Sequence, residues 1–296
     1  MEYKQIIVDR VGTDERLARI TLNNPDKLNV LGPEMLAELM DALHVLESDS
    51  SARVIILRGA GRAFSAGWDF GQDIATADPS YAGKDFKVVD GAGHPLAMNQ
   101  ASALKRGAEQ QLYFWSMSKV TIAQLHGYCL AGGLEWAMMA DLVTVATDCI
   151  LGHPGSRGVG VARNAALLPL LTTMRKAKEL LLTGDSLTGD DAVALGLANY
   201  SWDAADLDER TIQLADRVAN ISADHLAVTK AAANRFVENM GIRSSIASVT
   251  ELDAIGQNTE SSRTWNKKLR EEGLKSALSW RDEPYRDYSF RPRENG

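Results

Sequence analysis

Residues 127–141 read GYCLAGGLEWAMMAD, and they follow the apolar run VTIAQLH at 120–126. Two adjacent glycines, Gly132 and Gly133, open a stretch whose pattern predicts an apolar helix, and the carboxylate of Glu135 follows between Leu134 and Trp136. Glycine admits positive φ and lets a ligand come close to the main chain. A helix opening there also presents N–H groups that have no partner inside the helix. A carboxylate beside Leu134, Trp136, Ala137 and Met138 is costly to bury unless it has a partner or a task. The stretch reads as a backbone donor and a carboxylate brought to one place.

A second glycine corner lies upstream. Residues 52–70, ARVIILRGAGRAFSAGWDF, also run from an apolar strand into a glycine-bearing turn. If the two corners face one another, their free N–H groups converge on a single oxygen. Such an oxyanion hole contributes about 2.7–4 kcal/mol per donor to a developing enolate or tetrahedral oxyanion. Taken alone, each corner is more simply read as a tight strand-to-helix turn.

Outward from these corners the chain alternates strand and helix patterns. KQIIVDR and LARITLNN flank Gly12-Thr13-Asp14 and predict a hairpin. PEMLAELMDALHVLES at 33–48 predicts a helix with Met35, Leu36, Leu39, Met40 and Leu43 on its apolar face. The stretch from Gly71 to about Ala103 is polar and Gly-rich, as expected of a long functional loop or lid. A helix through LKRGAEQQLYFWSMS, the strand VTIAQLHG, the helix AGGLEWAMMAD and the strand LVTVAT continue the rhythm, which predicts an α/β fold. Beyond residue 203 only helical patterns follow. We therefore expect an α/β core with the site over 1–203 and a helical region over 204–296 that serves oligomerisation and covers the active site.

With 45% hydrophobic and 24% charged residues among 296, the chain has the make-up of a globular protein with a substantial core. Its net charge of −7 argues against nucleic acid as the main partner. No apolar run is long enough for a membrane span. The start, MEYKQIIVDRVG, lacks the apolar core of a signal peptide, so a cytoplasmic location is expected. Cys129 and Cys149 have neither metal-ligand spacing nor a disulfide-framework count and read as small buried residues. GDSLTG lacks the form of a nucleophile elbow, and PGSRGVGVARN lacks the ending of a P-loop.

Four stretches in order, NNPDKLNVLGPEM, GRAFSAGWDF, HGYCLAGGLEWAMMADLVTVATD and LLTGDSLTGDDAVALGLAN, resemble the crotonase (enoyl-CoA hydratase/isomerase) superfamily. The resemblance spans about residues 3–202, with a weaker echo in EEGLKSALSW. It is specific for the fold and the acyl-CoA ligand class, and less so for the reaction. It implies a crotonase-like spiral of ββα repeats with a helical C-terminal region, assembled as a homotrimer or a hexamer made of two trimers. It implies an acyl-CoA thioester as substrate, with coenzyme A as part of that substrate and no separate cofactor or metal. The thioester carbonyl would be held by the N–H groups of Trp68 and Gly132. The coenzyme A segment matches Lys27, Leu28, Asn29 and Val30, with main-chain groups around Ala66 and Asp69 meeting the adenine. Glu135 matches a glutamate that works as one of two acid/base carboxylates in the family's hydratases.

The second carboxylate is where the chain departs. Family hydratases carry a glutamate after proline in a segment resembling QPE, and His153-Pro154-Gly155 stands there, with Gly155 in the glutamate's place. A lost acid/base group costs typically about 10²–10⁴-fold. Some relatives with glycine here use a bound bicarbonate or another residue. His153 is chemically suited to stand in, because histidine titrates near neutrality. Arg157 is a candidate for holding an anion or a substrate carboxylate, and His94 for swinging in from the lid. His126 reads as structural, and His44 and His225 as solvated. Trp68, Phe70, Tyr113, Phe114, Trp115 and Trp136 suggest an aromatic-lined acyl pocket for a bulky group, or ordinary core packing. Three reactions remain open: hydration of a 2-enoyl-CoA, double-bond isomerisation, and carbon–carbon cleavage or hydrolysis. A non-catalytic CoA-ester-binding assembly protein is the alternative of a different class.

Overall fold

A computed structural model describes residues 3–70 and 97–285. Its strands are β1 (Ile6–Val11), β2 (Leu17–Leu22), β3 (Val54–Gly59), β4 (Val120–Leu125), β5 (Tyr128–Leu130), β6 (Leu142–Ala146), β7 (Ile150–Gly152), β8 (Ser186–Leu187) and β9 (Tyr200–Trp202). Its α-helices are α1 (Pro33–Ser48), α2 (Ala97–Ser116), α3 (Gly132–Ala137), α4 (Leu168–Leu171), α5 (Met174–Thr183), α6 (Gly189–Leu195), α7 (Leu207–Ala219), α8 (Ala223–Asn239), α9 (Ile242–Gly256), α10 (Glu260–Glu272) and α11 (Leu274–Asp282).

β1 and β2 form the expected antiparallel hairpin, with Ile6 opposite Leu22 and Val11 opposite Leu17. β3, β4, β6 and β9 then add in parallel, giving the order β1-β2-β3-β4-β6-β9. Strands buried on both faces read as continuous apolar runs, and VIIL in β3 and VTIAQL in β4 do so. Their alternation feeds two cores. Ile20, Ile55, Leu57, Leu125 and Val145 belong to the main one, which takes in Met35, Leu36, Leu39 and Leu43 of α1. Leu17, Val54, Ile56, Val120 and Ile122 belong to the other, where Ala215 and Ala219 of α7 close the opposite face.

After each of several sheet strands the chain turns a corner and lays down a second short strip before its helix. The segment 28–31 follows β2, 64–69 follows β3, β5 follows β4, and β7 follows β6. These strips lie side by side. Ala66 N–H donates to the Leu28 carbonyl, Leu130 N–H to that of Ser65, and Ala131 N–H to that of Gly152, each at 2.9 Å. The result is a spiral of strand–strip–helix turns that carries residues distant in sequence to one line.

The helical C-terminal region appears as expected, with no strand among the described residues beyond β9. Gly273 separates α10 from α11. Residues 97–103, expected as part of the long loop, instead form the start of α2, because Ala101 and Leu104 bury against Ala254 of α9. His94 and most of that expected loop lie outside the described residues. No described helix is long and apolar enough to cross a membrane.

Candidate active site

The strips set the geometry. Asn29 is fully buried, and its side-chain amide donates to the carbonyls of Ala60 and Ala63, both at 2.8 Å, while its Oδ1 accepts from Asn24 N–H. This clamp holds Leu28 and Asn29 in the left-handed region, at φ of 54° and 53°. Leu28, Val30, Ala66 and Asp69 therefore lie on adjoining strips, with Asp69 N–H donating to the Leu31 carbonyl at 3.3 Å. Lys27 ends the preceding 3-10 turn and is exposed.

The two glycine corners are brought together. A Cβ built on Gly132 would lie 2.6 Å from Cε2 of the Trp68 indole, so only glycine lets that ring rest on the start of α3. Ala131, the residue that aims the Gly132 N–H, has φ 47° and ψ −118°. That conformation is sparsely populated for any residue with a Cβ and costs on the order of 1–3 kcal/mol. Neither the Trp68 N–H nor the Gly132 N–H donates to a protein acceptor among the described residues.

Glu135 is 1% exposed and has a full set of neighbours. Its Oε2 accepts from Gln111 Nε2 of α2 at 3.0 Å. Its Oε1 accepts from His153 Nε2 at 3.2 Å and from the Arg163 backbone N–H at 3.3 Å. Asn164 Nδ2 donates to its carbonyl at 2.6 Å. Burial by itself would raise the Glu135 pKa, but the His153 hydrogen bond, the Arg163 charge and the Gln111 hydrogen bond outweigh it and lower the value to about 2. An ionised carboxylate only accepts hydrogen bonds, so in this contact the donor is the His153 ring.

The His153 ring lies against Gly155. A Cβ on Gly155 would lie 3.0 Å from His153 Cε1 and 3.3 Å from its Nδ1. The imidazole fills the space beside the glycine and reaches Glu135. His153 and Gly155 are parts of one local arrangement, His153 preceding the 3-10 turn Pro154–Ser156 that contains the glycine.

The sequence profile of the enoyl-CoA hydratase/isomerase family matches residues 17–283. The chain belongs to the enoyl-CoA hydratase/isomerase family. This family member is 34% identical over 244 residues to the Mycobacterium tuberculosis relative EchA13, covering 79% of this chain and 74% of the relative. It is 28% identical over 266 residues to the crotonyl-CoA hydratase of Syntrophomonas wolfei, covering 86% and 90% of the two chains. The crystal structure of an enoyl-CoA hydratase from Mycobacterium smegmatis superposes with a TM-score of 0.86 at 30% identity, covering 98% of this chain and 97% of that one. The crotonase-like spiral expected from the sequence is thereby established, and the chain is an enzyme of this enoyl-CoA hydratase/isomerase family.

One expectation for this family member needs correction, that for Arg157. Arg157 holds no open position for an anion: it donates to Asp185 at 2.9 Å, Asp282 at 3.3 Å and the Thr183 carbonyl at 3.0 Å, with the Tyr285 ring stacked on it. The aromatic residues mostly make core. Phe114 packs on Trp136 and both are buried with Trp115; Tyr113 meets His44 at a tilt of 42°, and Phe70 meets Trp265 edge-on. Of that set, Trp68 flanks the glycine corners. His126 bonds the Gly61 carbonyl, and His225 is exposed, as expected; His44 is exposed but lies against Tyr113.

Sequence reasoning missed Gln111, Arg163 and Asn164 and gave the side chain of Asn29 no role. Nothing local marks Gln111 or Arg163, because each meets the site through tertiary contacts alone. Asn29 carried a weak signal in being a polar residue, tolerant of left-handed φ, within an apolar strip.

Proposed function

We propose that this enzyme acts on an acyl-CoA thioester as a 2-enoyl-CoA hydratase-like catalyst, with the Trp68 and Gly132 N–H groups holding the thioester oxygen. The observation that carries this reading is the buried Glu135, hydrogen-bonded to His153 and Gln111, on the same short helix that begins with the unbonded Gly132 amide. Glu135 takes a proton from water as the water oxygen adds to C3. The C2–C3 π electrons move onto the thioester oxygen, where the two amides hold the charge. The enolate then collapses and C2 takes the proton back from Glu135, so one water is added in all. A carboxylate with a lowered pKa is a modest base but returns its proton readily, which suits the second half of the reaction. His153 acts as the positioning partner that keeps Glu135 charged and fixed.

The coenzyme A moiety fits the adjoining strips at Leu28, Val30, Ala66 and Asp69, with exposed Lys27 at their edge as a cation for phosphate. Assembly as a trimer or hexamer belongs to the same reading; exposed Val228 and Phe236 on α8 and Leu252 and Ile255 on α9 are apolar surface suited to it. Isomerisation is the second reading, favoured by Gly155, because a single carboxylate suffices to shuttle one proton between carbons.

Incubation with crotonyl-CoA, a bulky 2-enoyl-CoA and a 3-enoyl-CoA separates these. A product heavier by one water supports hydration, and conversion of the 3-enoyl ester without a mass change supports isomerisation. Tight binding of CoA esters with no turnover across the panel would make the chain a binding protein and sink the catalytic reading.

A further inference from the structure

Arg163 stands beside the site with its charge only partly employed. Its guanidinium carbon lies 4.0 Å from the centroid of the Trp68 ring, and that ring rests on Gly132. Its Nη1 is shielded from solvent and meets no acceptor among the described residues. The guanidinium as a whole makes no hydrogen bond or ion pair within them, its recorded contact being the one with Trp68. A guanidinium offers five N–H groups, and shielding a charged donor without an acceptor is unfavourable. Contact with an aromatic face engages the charge and leaves the in-plane N–H groups free to donate.

The surroundings fix this side chain in place. Val161 N–H donates to Asp253 Oδ1 at 2.7 Å, Arg163 N–H to Glu135 Oε1, and Asn164 to the Glu135 carbonyl, so the backbone is pinned on both sides of Arg163. The two carboxylates that feel its charge find their hydrogen bonds elsewhere. Glu135 takes them from His153, Gln111 and the main chain, and Asp253 from Val161 and Gln257.

We propose that Arg163 recognises a carboxylate on the acyl portion of the thioester, which makes the substrates CoA esters of dicarboxylic acids. This rests on the acyl-CoA reading above. A carboxylate matches the guanidinium fork with two parallel hydrogen bonds, and their short range outweighs the longer-range repulsion from Glu135 and Asp253. If Arg163 served only to balance Glu135, its removal would lower turnover equally for every acyl group.

The test uses matched pairs: glutaconyl-CoA and two longer ω-carboxy 2-enoyl-CoA homologues, each against its methyl ester. For at least one length the wild type is expected to favour the acid over the ester by about 10- to 100-fold in kcat/KM. Arg163→Met is expected to lower the acid's value by that factor beyond whatever it does to the ester, and Arg163→Lys to keep part of the preference, since lysine offers a point charge without the fork. Calorimetric binding of the saturated acids and esters repeats the comparison without needing turnover. Equal values for acid and ester at every length in the wild type overturn the proposal whether or not Arg163→Met folds. So does a preference that survives Arg163→Met. If esters bind and acids bind no better, only the role of Arg163 falls; if no CoA ester of either kind binds, the acyl-CoA reading falls with it.

Discussion

Arg157 and Arg163 leave the same loop, and their surroundings differ in kind. Arg157 has a side chain only 1% exposed and is met on every side: Asp185, Asp282, the Thr183 carbonyl and the Tyr285 ring. Arg163 has one aromatic face and no acceptor among the described residues, although its backbone is held as firmly. A saturated buried cation locks two carboxylates and the segments that bear them, and no valence remains for a ligand. An unsaturated one beside a charged carboxylate keeps donors available at the cost of stability. The lesson is that burial and charge alone do not mark a binding residue; the count of unmet hydrogen-bonding groups does.

The sharpest way to strain this comparison is at the carboxylate beside Arg163. Glu135→Gln is expected to lower turnover by roughly 10²–10⁴-fold with CoA-ester binding retained, measured by steady-state rates alongside calorimetry. Undiminished turnover would strip Glu135 of its role. Next comes stability. Arg157→Met leaves partly buried Asp185 without its cation, while Asp282 keeps Arg281, and is expected to cost about 3–5 kcal/mol in urea unfolding, whereas Arg163→Met should cost about 1 kcal/mol or less. Equal losses would erase the distinction drawn between the two arginines.

Smaller effects probe the Glu135–His153 contact. Gly155→Ala places a Cβ 3.0 Å from His153 Cε1, and shifting the ring is expected to cost roughly 1–3 kcal/mol and to lower turnover together with it. Retained turnover and stability would mean that the imidazole need not stay where it is. The smallest effect is on pH dependence. The Glu135 pKa is lowered from 4.5 to about 2 in the folded chain, so its stabilisation is fully present above the unfolded value and is lost as pH falls from about 4.5 towards 2. Between pH 6 and pH 4 the wild type should therefore lose about 1 kcal/mol more than Glu135→Gln. Parallel pH profiles of unfolding for the two proteins would contradict a charged Glu135.

Much of the architecture was legible because it is written in local periodicity. The hairpin about Gly12, the apolar face of α1, the all-buried runs of β3 and β4 and the helical stretch after residue 203 follow from side-chain spacing. The start of α2 was misread because residues 97–103, AMNQASA, were grouped with the Gly-rich stretch before them, although Ala101 and Leu104 pack against Ala254 of α9. At the site, Glu135 and the two glycine corners stood out since each breaks an apolar pattern. His153 stood out as a titratable neighbour of Gly155; its contact with Glu135, 18 residues away, comes from the fold, at the 3-10 turn 154–156.

By itself, then, the sequence determined the strand and helix alternation, the two glycine corners, the lone carboxylate on α3 and the glycine at position 155. Only the tertiary structure decided which groups complete the buried polar ones: Gln111 and His153 for Glu135, Asp185 and Asp282 for Arg157, and the Trp68 ring for Arg163. The reason is physical. Spacing along a chain fixes which side chains share a face of one element, but hydrogen-bond partners of buried groups come from elements tens of residues apart, and the folded spiral alone sets those distances.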